Sequence, residues 1–113
     1  MKLEFKNKKL KEQCENPIKA QTKHGARIGN KLIQRICELI AADSLLDIKK
    51  IPAARLHRLE GTRSDEYAVD LIHPFRLVFK PILDDFEDIN KLEKINIVKI
   101  EEVTDYHGKQ KRK

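Results

Sequence analysis

The spacing of hydrophobic residues divides the chain into a helical first half and a strand-forming second half. Lys2 to Phe5 alternates polar and apolar residues, which predicts a short first strand. A short helix is predicted over the basic stretch 6–14, and Asn16-Pro17 ends it because proline pushes the preceding residue out of the α region. The strongest helical pattern runs from Lys23 to Ala42, and one further turn is predicted over 44–48. Apolar residues recur in the long helix at three- and four-residue steps: Ile28, Leu32, Ile33, Ile36, Leu39 and Ile40.

After Pro52 the period changes to that of β-strands. Four runs are rich in strand-forming residues: Arg55 to Leu59, Glu66 to Ile72, Phe75 to Lys80 and Lys94 to Val103. His73-Pro74 is short enough to join two of them in a tight hairpin, whereas 81–91 forms a longer acidic loop. Helices segregated from strands indicate an α+β fold, so we expect an antiparallel sheet of four to five strands packed against two N-terminal helices. The long helix would cover one sheet face and leave the other open.

The length and charge of the chain limit the number of domains it can form and the kinds of partner it can bind. The 113 residues suffice for one domain, predicted over 1–107, followed by a basic tail at 108–113. The formal net charge of +6 favours polyanionic partners, although many small soluble proteins are basic without such a partner. The N-terminus is too polar for a signal peptide, and no apolar run reaches the roughly 20 residues that span a bilayer. We expect a cytoplasmic protein that makes no membrane contact.

The two cysteines, Cys14 and Cys37, do not form a metal-binding motif. No C-x-x-C spacing occurs, which disfavours zinc, and a disulfide is unusual in a chain without an export signal. We therefore expect two buried free thiols, with no metal and no cofactor.

The open sheet face is predicted to carry a group of proton-transferring and cationic side chains. Strand alternation sends Leu77 and Phe79 into the core and Arg76 to the open face. In the same way Arg55 and His57 lie opposite Leu56. The last strand runs into Asp105, Tyr106 and His107, and the first and third of these share a face if the strand continues.

These residue types suit RNA cleavage by the RNA's own 2′-hydroxyl. That reaction needs a base, an acid and cationic donors around the phosphate. His57 and His107 are the acid and base candidates, in either order, because imidazole titrates near neutral pH. Arg76 is the candidate phosphate clamp, since its planar fork can grip two oxygens. Asp105 would orient a histidine or act as the base, and Tyr106 would position the substrate.

Each residue also has a purely structural interpretation. His57 could be a surface histidine, Asp105 a turn residue and Tyr106 part of the core, while Arg76 could pair with a carboxylate such as Glu66. The co-occurrence of all of them favours a site. Further contacts with RNA are predicted for a set of basic residues: Arg55, Arg58, Lys80, Lys109 and Lys111.

Three elements of the chain resemble a known family of toxins. The run 55–61, Arg-Leu-His-Arg-Leu-Glu-Gly, resembles the "LHPLKG"-type element of HigB toxins. Tyr67-Ala68-Val69 followed by Phe75 to Phe79 resembles the paired strands and "RLxF" core of the wider RelE/ParE superfamily. The ending at 102–107 resembles the "DYH" ending of HigB. The resemblance covers roughly residues 2 to 107, and the three elements together are fairly specific.

The resemblance implies the toxin of a type II toxin–antitoxin pair with a compact RelE-like fold. HigB-type members cleave mRNA in the ribosomal A site, and a helix-turn-helix, HigA-like antitoxin neutralises them in a hetero-oligomer. The family's active-site residues map onto His57, Arg76, Asp105, Tyr106 and His107. The acidic loop 81–91 and the His73-Pro74 turn depart from the family pattern. Because the superfamily also contains gyrase-inhibiting ParE proteins, a toxin that binds gyrase without cutting RNA is the alternative.

Overall fold

Four α-helices form the first half of the described chain. The computed structural model describes residues 1–105. The helices are α1 (Lys8–Glu15), α2 (Pro17–His24), α3 (Ala26–Ala41) and α4 (Leu45–Lys49). Two helices and a further turn were predicted. The segment between the first helix and the long one forms a separate helix, α2, which the sequence pattern did not predict. None of the helices in this part of the chain is both long and apolar enough to cross a membrane.

Two residues set the boundaries between α1, α2 and α3. Asn16 ends α1 and caps α2, since its side chain accepts hydrogen bonds from the backbone N–H groups of Ile18 and Lys19. Pro17 occupies the first turn of α2, where its missing N–H costs nothing. Gly25 separates α2 from α3 with a φ of 86°, a backbone conformation that favours glycine. This break explains why the long helix begins at Ala26 and not at Lys23.

Helices α2 and α3 cross at Gly29, which lies buried in α3. A Cβ atom added there would approach the carbonyl carbon and oxygen of Ala20, and the Cα of Gln21, to 2.8 Å. These are backbone atoms of the facing helix, so no side chain can rotate away to make room. Glycine is therefore required by the close approach of the two helices.

Gly29→Ala should destabilise the fold. The overlap with the backbone of α2 is expected to cost about 1–3 kcal/mol, which outweighs the gain of about 1 kcal/mol from alanine's higher helix propensity. Urea unfolding followed by circular dichroism measures the difference. Arg27→Ala, at an exposed position of the same helix, is the control and should change stability little. A Gly29→Ala protein as stable as the unchanged chain would contradict this account of the helix crossing.

A five-stranded sheet forms the second layer of the described chain. Its strands are β1 (Lys2–Phe5), β2 (His57–Arg58), β3 (Tyr67–Asp70), β4 (Phe75–Pro81) and β5 (Ile97–Asp105), in the order β1-β5-β4-β3-β2. The predicted α+β class and strand number are confirmed. The sheet is mixed, however, because β1 pairs with β5 in parallel while the other neighbours are antiparallel. β1 and β5 come from opposite ends of the described chain, and local periodicity holds no information on such a pairing.

The helices cover one face of the sheet and form the main core with it. Leu32, Ile36 and Leu39 of α3 pack against sheet residues such as Leu77 and Phe79, as the spacing predicted. Ile40 was predicted to belong to the same stripe but is 56% exposed. The helix turns it away from the sheet.

The two thiols differ in their surroundings. Cys14 is buried in the main core, and burial, followed by the neighbouring charge of Glu15, raises the pKa of its thiol to about 12. Such a thiol is unreactive at neutral pH. Cys37 is exposed on α3, so the prediction that both thiols are buried is wrong for this residue. Both are free, as expected.

The second face of the sheet is only partly open. Leu59, Ala68 and Val78 form a small apolar cluster there, and Ala68 and Val78 are fully buried. Leu59 directly follows β2 and continues its pairing with the chain before β3, because its N–H donates a hydrogen bond to the carbonyl of Glu66. The sequence predicted that the second face is uncovered, and this prediction is wrong for the centre of the face, where the cluster is buried. A concave surface remains beside this cluster.

Candidate functional site

A concave surface of about 480 Å³ lies on the second face of the sheet. Six of its lining residues come from the segment around β2, and the seventh comes from β4. They are Arg55, His57, Arg58, Leu59, Glu60, Arg63 and Arg76. We refer to this surface as the arginine cavity. It joins residues from distant parts of the chain, as the sequence predicted for His57 and Arg76.

Strand register explains why these side chains meet. His57 pairs with Ala68, and Ala68 pairs with Val78, so the three side chains lie in one row on the second face. Arg76 lies two residues before Val78 and therefore points to the same face, opposite Asp70. The row that contains Asp70 and Arg76 is next to the row that contains His57. The side chain of Arg76 is long enough to reach from one row to the other.

His57 is held by an unusual backbone conformation at Arg55. Arg55 has φ 45° and ψ 57°, in the left-handed region that non-glycine residues rarely occupy. This turn brings the carbonyl oxygen of Arg55 within 2.7 Å of His57 Nδ1. A carbonyl oxygen can only accept a hydrogen bond, so Nδ1 must donate. In the neutral ring the other nitrogen, Nε2, is then the proton acceptor, which is the arrangement a general base requires.

The side chain of Arg55 pairs with the carboxylate of Asp70 across the strand end. Its Nε lies 2.7 Å from one oxygen, and its Nη2 lies 3.2 Å from the other. The side chain of Arg55 remains 57% exposed. A predicted RNA-binding residue thus lies at the rim of the cavity. It is accessible to a ligand that could compete with Asp70 for its guanidinium.

Arg76 is nearly buried, with 9% of its surface exposed. Its structural interpretation was a pair with a carboxylate such as Glu66. Both oxygens of Glu66 are instead bound by Arg63, through Nε and Nη2. Arg76 lies on β4 opposite Asp70 and is among the residues that line the arginine cavity.

Arg63 is a cavity residue that sequence reasoning missed. Its Nη1 also lies 2.6 Å from the carboxylate of Glu102 on β5, so one guanidinium joins two carboxylates across the sheet. The hydrogen bond to Glu66 raises the pKa of Arg63 most, and Glu102 raises it further. Arg63 lies in a short 3₁₀ turn (Gly61–Arg63) with no strand or helix periodicity. The sequence signal that could have revealed it is the nearby glutamate, three residues later.

Two residues that were predicted to bind RNA instead form contacts with other residues of the chain. Arg58 borders the cavity, but its Nε donates to the carbonyl of Ser64 and its Nη1 donates to the side chain of Asn90 at 2.7 Å. Lys80 does not line the cavity and pairs with Asp65 at 3.0 Å. The hydrogen bond between them raises the pKa of Lys80 and lowers that of Asp65. This pair is well exposed and contributes little to stability.

Asp105 does not share the face of His57 and Arg76. The register pairs Asp105 with Phe75, which packs against the main core, and pairs Thr104 with Arg76. Side chains alternate along the strand, so Asp105 points to the helix side. The prediction that Asp105 lies on the open face with His57 is wrong, because the direction of its side chain depends on a strand register that the sequence does not determine. Other predicted residues lie outside the described residues: Tyr106, His107, Lys109, Lys111 and the tail 108–113.

Basic side chains predominate in the lining of the arginine cavity. Within residues 1–105 four guanidinium groups, one imidazole and the carboxylate of Glu60 line it, and two of the guanidinium groups also pair with carboxylates outside the lining. Such a surface favours phosphate groups, because guanidinium groups bind two phosphate oxygens with parallel hydrogen bonds. The described chain contains no group of three or more His, Cys, Asp or Glu residues positioned to hold a metal ion.

Comparison with known proteins supports the fold assignment. No protein-family model matches the chain, and no curated protein matches its sequence. A solved structure, the YoeB/ParE toxin from Agrobacterium tumefaciens, is similar with a TM-score of 0.52 and 13% sequence identity. The similarity covers 94% of this chain and 99% of that one. At this identity the two proteins share a fold, and what the present chain does must be argued from its own residues.

Proposed function

We propose that this chain is the toxin of a type II toxin–antitoxin pair and that it cuts RNA. One observation carries the proposal: His57, with its Nδ1 proton directed at a backbone carbonyl, lies in a cavity together with the nearly buried guanidinium of Arg76. A proton acceptor beside a phosphate-binding group is the minimum that cleavage by the 2′-hydroxyl requires. The fold shared with a YoeB/ParE toxin supports the biological setting.

In the proposed reaction, Nε2 of His57 takes the proton of the 2′-hydroxyl. The 2′-oxygen attacks the adjacent phosphorus, the bond to the 5′-oxygen breaks, and a 2′,3′-cyclic phosphate forms. Arg76 binds the phosphate oxygens as negative charge builds on them, and this preorganised donor stabilises the transition state. The reaction requires no metal ion.

The end of the chain would complete the site. His107 is the proposed acid that protonates the departing 5′-oxygen, and Tyr106 is proposed to position the substrate. Asp105 points away from the cavity, so the proposal keeps neither of its two predicted roles, orienting a histidine or acting as the base.

Basic residues around the cavity would recruit the RNA backbone. Arg55, at the exposed rim, is the best placed of the described ones, whereas Arg58 and Lys80 would first have to leave Asn90 and Asp65. Lys109 and Lys111 are proposed to add contacts from the chain end. Binding of this kind weakens steeply as salt rises, because counterions released from the RNA drive it.

The proposed substrate is mRNA engaged by the ribosome, as in the HigB branch that the sequence resembles. The proposed partner is a HigA-like helix-turn-helix antitoxin, which would hold the toxin in an inactive hetero-oligomer. The alternative is a ParE-like toxin that binds gyrase and cuts no RNA. The fold is compatible with both, and the cavity chemistry favours cleavage because a pure binder has no need of an oriented imidazole.

Primer extension on cellular mRNA after brief induction tests the proposal. We expect new 5′ ends within translated regions, and we expect them to disappear when ribosomes are kept off the same transcript by a blocked start site. Cuts that persist without ribosome engagement would reject ribosome dependence alone. Growth arrest with intact mRNA and a DNA-damage response would reject the nuclease and favour the gyrase inhibitor.

A further inference from the structure

Glu60 is the single carboxylate among the residues that line the arginine cavity. Four guanidinium groups line the same surface, yet Glu60 forms no side-chain hydrogen bond or ion pair with any residue of the described chain. Two of these arginines pair with carboxylates of other segments: Arg55 binds Asp70, and Arg63 binds Glu66 and Glu102. The carboxylate is therefore available to a ligand.

The position of Glu60 is fixed on both sides. Leu59, just before it, is buried and donates its N–H to the carbonyl of Glu66 at 2.9 Å. The 3₁₀ turn Gly61–Arg63 begins directly after it, and the N–H of Arg63 points to the carbonyl of Glu60 at 3.4 Å. The carboxylate thus projects from an anchored backbone, which limits the ordering that ligand binding would cost.

An ionised carboxylate repels phosphate, so in a phosphate-binding cavity it must face a different part of the RNA. Carboxylates only accept hydrogen bonds, and with two oxygens they match a pair of parallel N–H donors. Among the four RNA bases, guanine presents such a pair on its Watson–Crick edge, at N1 and the exocyclic N2. Adenine presents one donor beside one acceptor there.

From this geometry we infer that Glu60 is a specificity-determining residue that binds guanine at a nucleotide adjoining the cleaved bond. The inference rests on the proposed nuclease function and adds to it a base preference. His57 moves the proton and Arg76 holds the phosphate, while Glu60 accepts hydrogen bonds from the base. Glu60 does not take part in proton transfer.

The test is to map the 5′ ends produced in all cellular mRNAs after brief induction of each variant. The unchanged chain should cut preferentially at sites carrying guanine. Glu60→Gln exchanges one acceptor for a donor and so matches adenine. The ratio of cuts at guanine to cuts at adenine should therefore fall by about 10- to 100-fold, the discrimination typical of one bidentate contact. Glu60→Asp, which keeps the carboxylate, should retain guanine over adenine.

Glu93→Gln is the matched control, because Glu93 is exposed, pairs with no described residue and does not line the cavity. It should leave the ratio unchanged. Cutting without guanine preference, or an equal loss of Glu60→Gln cleavage at all bases, overturns the specificity role while the nuclease stands. If the unchanged chain cuts no RNA, the proposed function fails and the base preference fails with it.

Discussion

Replacing Arg76 with alanine is expected to lower the rate of RNA cleavage by about 10²–10³-fold, the usual cost of removing one preorganised donor from a transition state. The residue is nearly buried on the cavity side of β4, opposite Asp70, where its guanidinium can hold a phosphate away from water. Loss of growth arrest in cells should accompany the loss of cleavage. The rate is measured on ribosome-bound mRNA with purified protein.

A second variant separates the chemistry of Arg76 from its packing. Arg76→Lys keeps the positive charge but loses the planar guanidinium that binds two phosphate oxygens. Its rate of RNA cleavage should therefore also fall, by at least about tenfold. Arg27→Ala, an exposed arginine on the helix side, is the control for charge and should retain full activity. Thermal unfolding verifies that each variant is folded. Full toxicity of a folded Arg76→Ala protein would refute the phosphate-clamp role.

Replacing His57 with glutamine is expected to reduce cleavage by about 10²–10⁴-fold, the range for loss of a general acid or base. The amide of glutamine cannot take a proton from the 2′-hydroxyl, and thermal unfolding verifies that the variant is folded. Single-turnover cleavage, with enzyme in excess, isolates the chemical step from product release.

His24→Gln is the matched control for a histidine change. His24 lies at the end of α2 and does not line the arginine cavity, and burial, with a smaller effect of Lys23, lowers the pKa of its imidazole. This substitution should leave the chemical step unchanged. A His57→Gln protein that cleaves within about tenfold of the normal rate would exclude proton transfer by His57.

Periodicity predicted those parts of the fold that local burial decides. The stripe of α3 and the alternation along β4 are properties of consecutive residues, and Leu32 and Phe79 lie in the core as expected. The hairpin between β3 and β4 was also predicted from short-range signals. The break at Gly25 was missed because Lys23 and His24 continue the helical spacing, although they belong to the last turn of α2.

The sequence predicted those site residues whose neighbours are apolar, because burial of the neighbours determines the sheet face to which the site residue points. His57 and Arg76 each stand beside residues that must be buried, and the structure brings both to the arginine cavity. Asp105 was placed on the wrong face because its facing depends on pairing with Phe75, a long-range register. Arg63 was missed for a related reason: its position depends on carboxylates from two different segments.

The central claim is that RNA is cut by its own 2′-hydroxyl with His57 as the base. The most direct measurement compares two ribosome-bound mRNAs that differ only in the sugar preceding the cleaved bond, ribose in one and 2′-deoxyribose in the other. We predict that the ribose substrate is cut and yields a 2′,3′-cyclic phosphate, and that the deoxyribose substrate stays intact. Cleavage of both substrates at equal rates would contradict this mechanism.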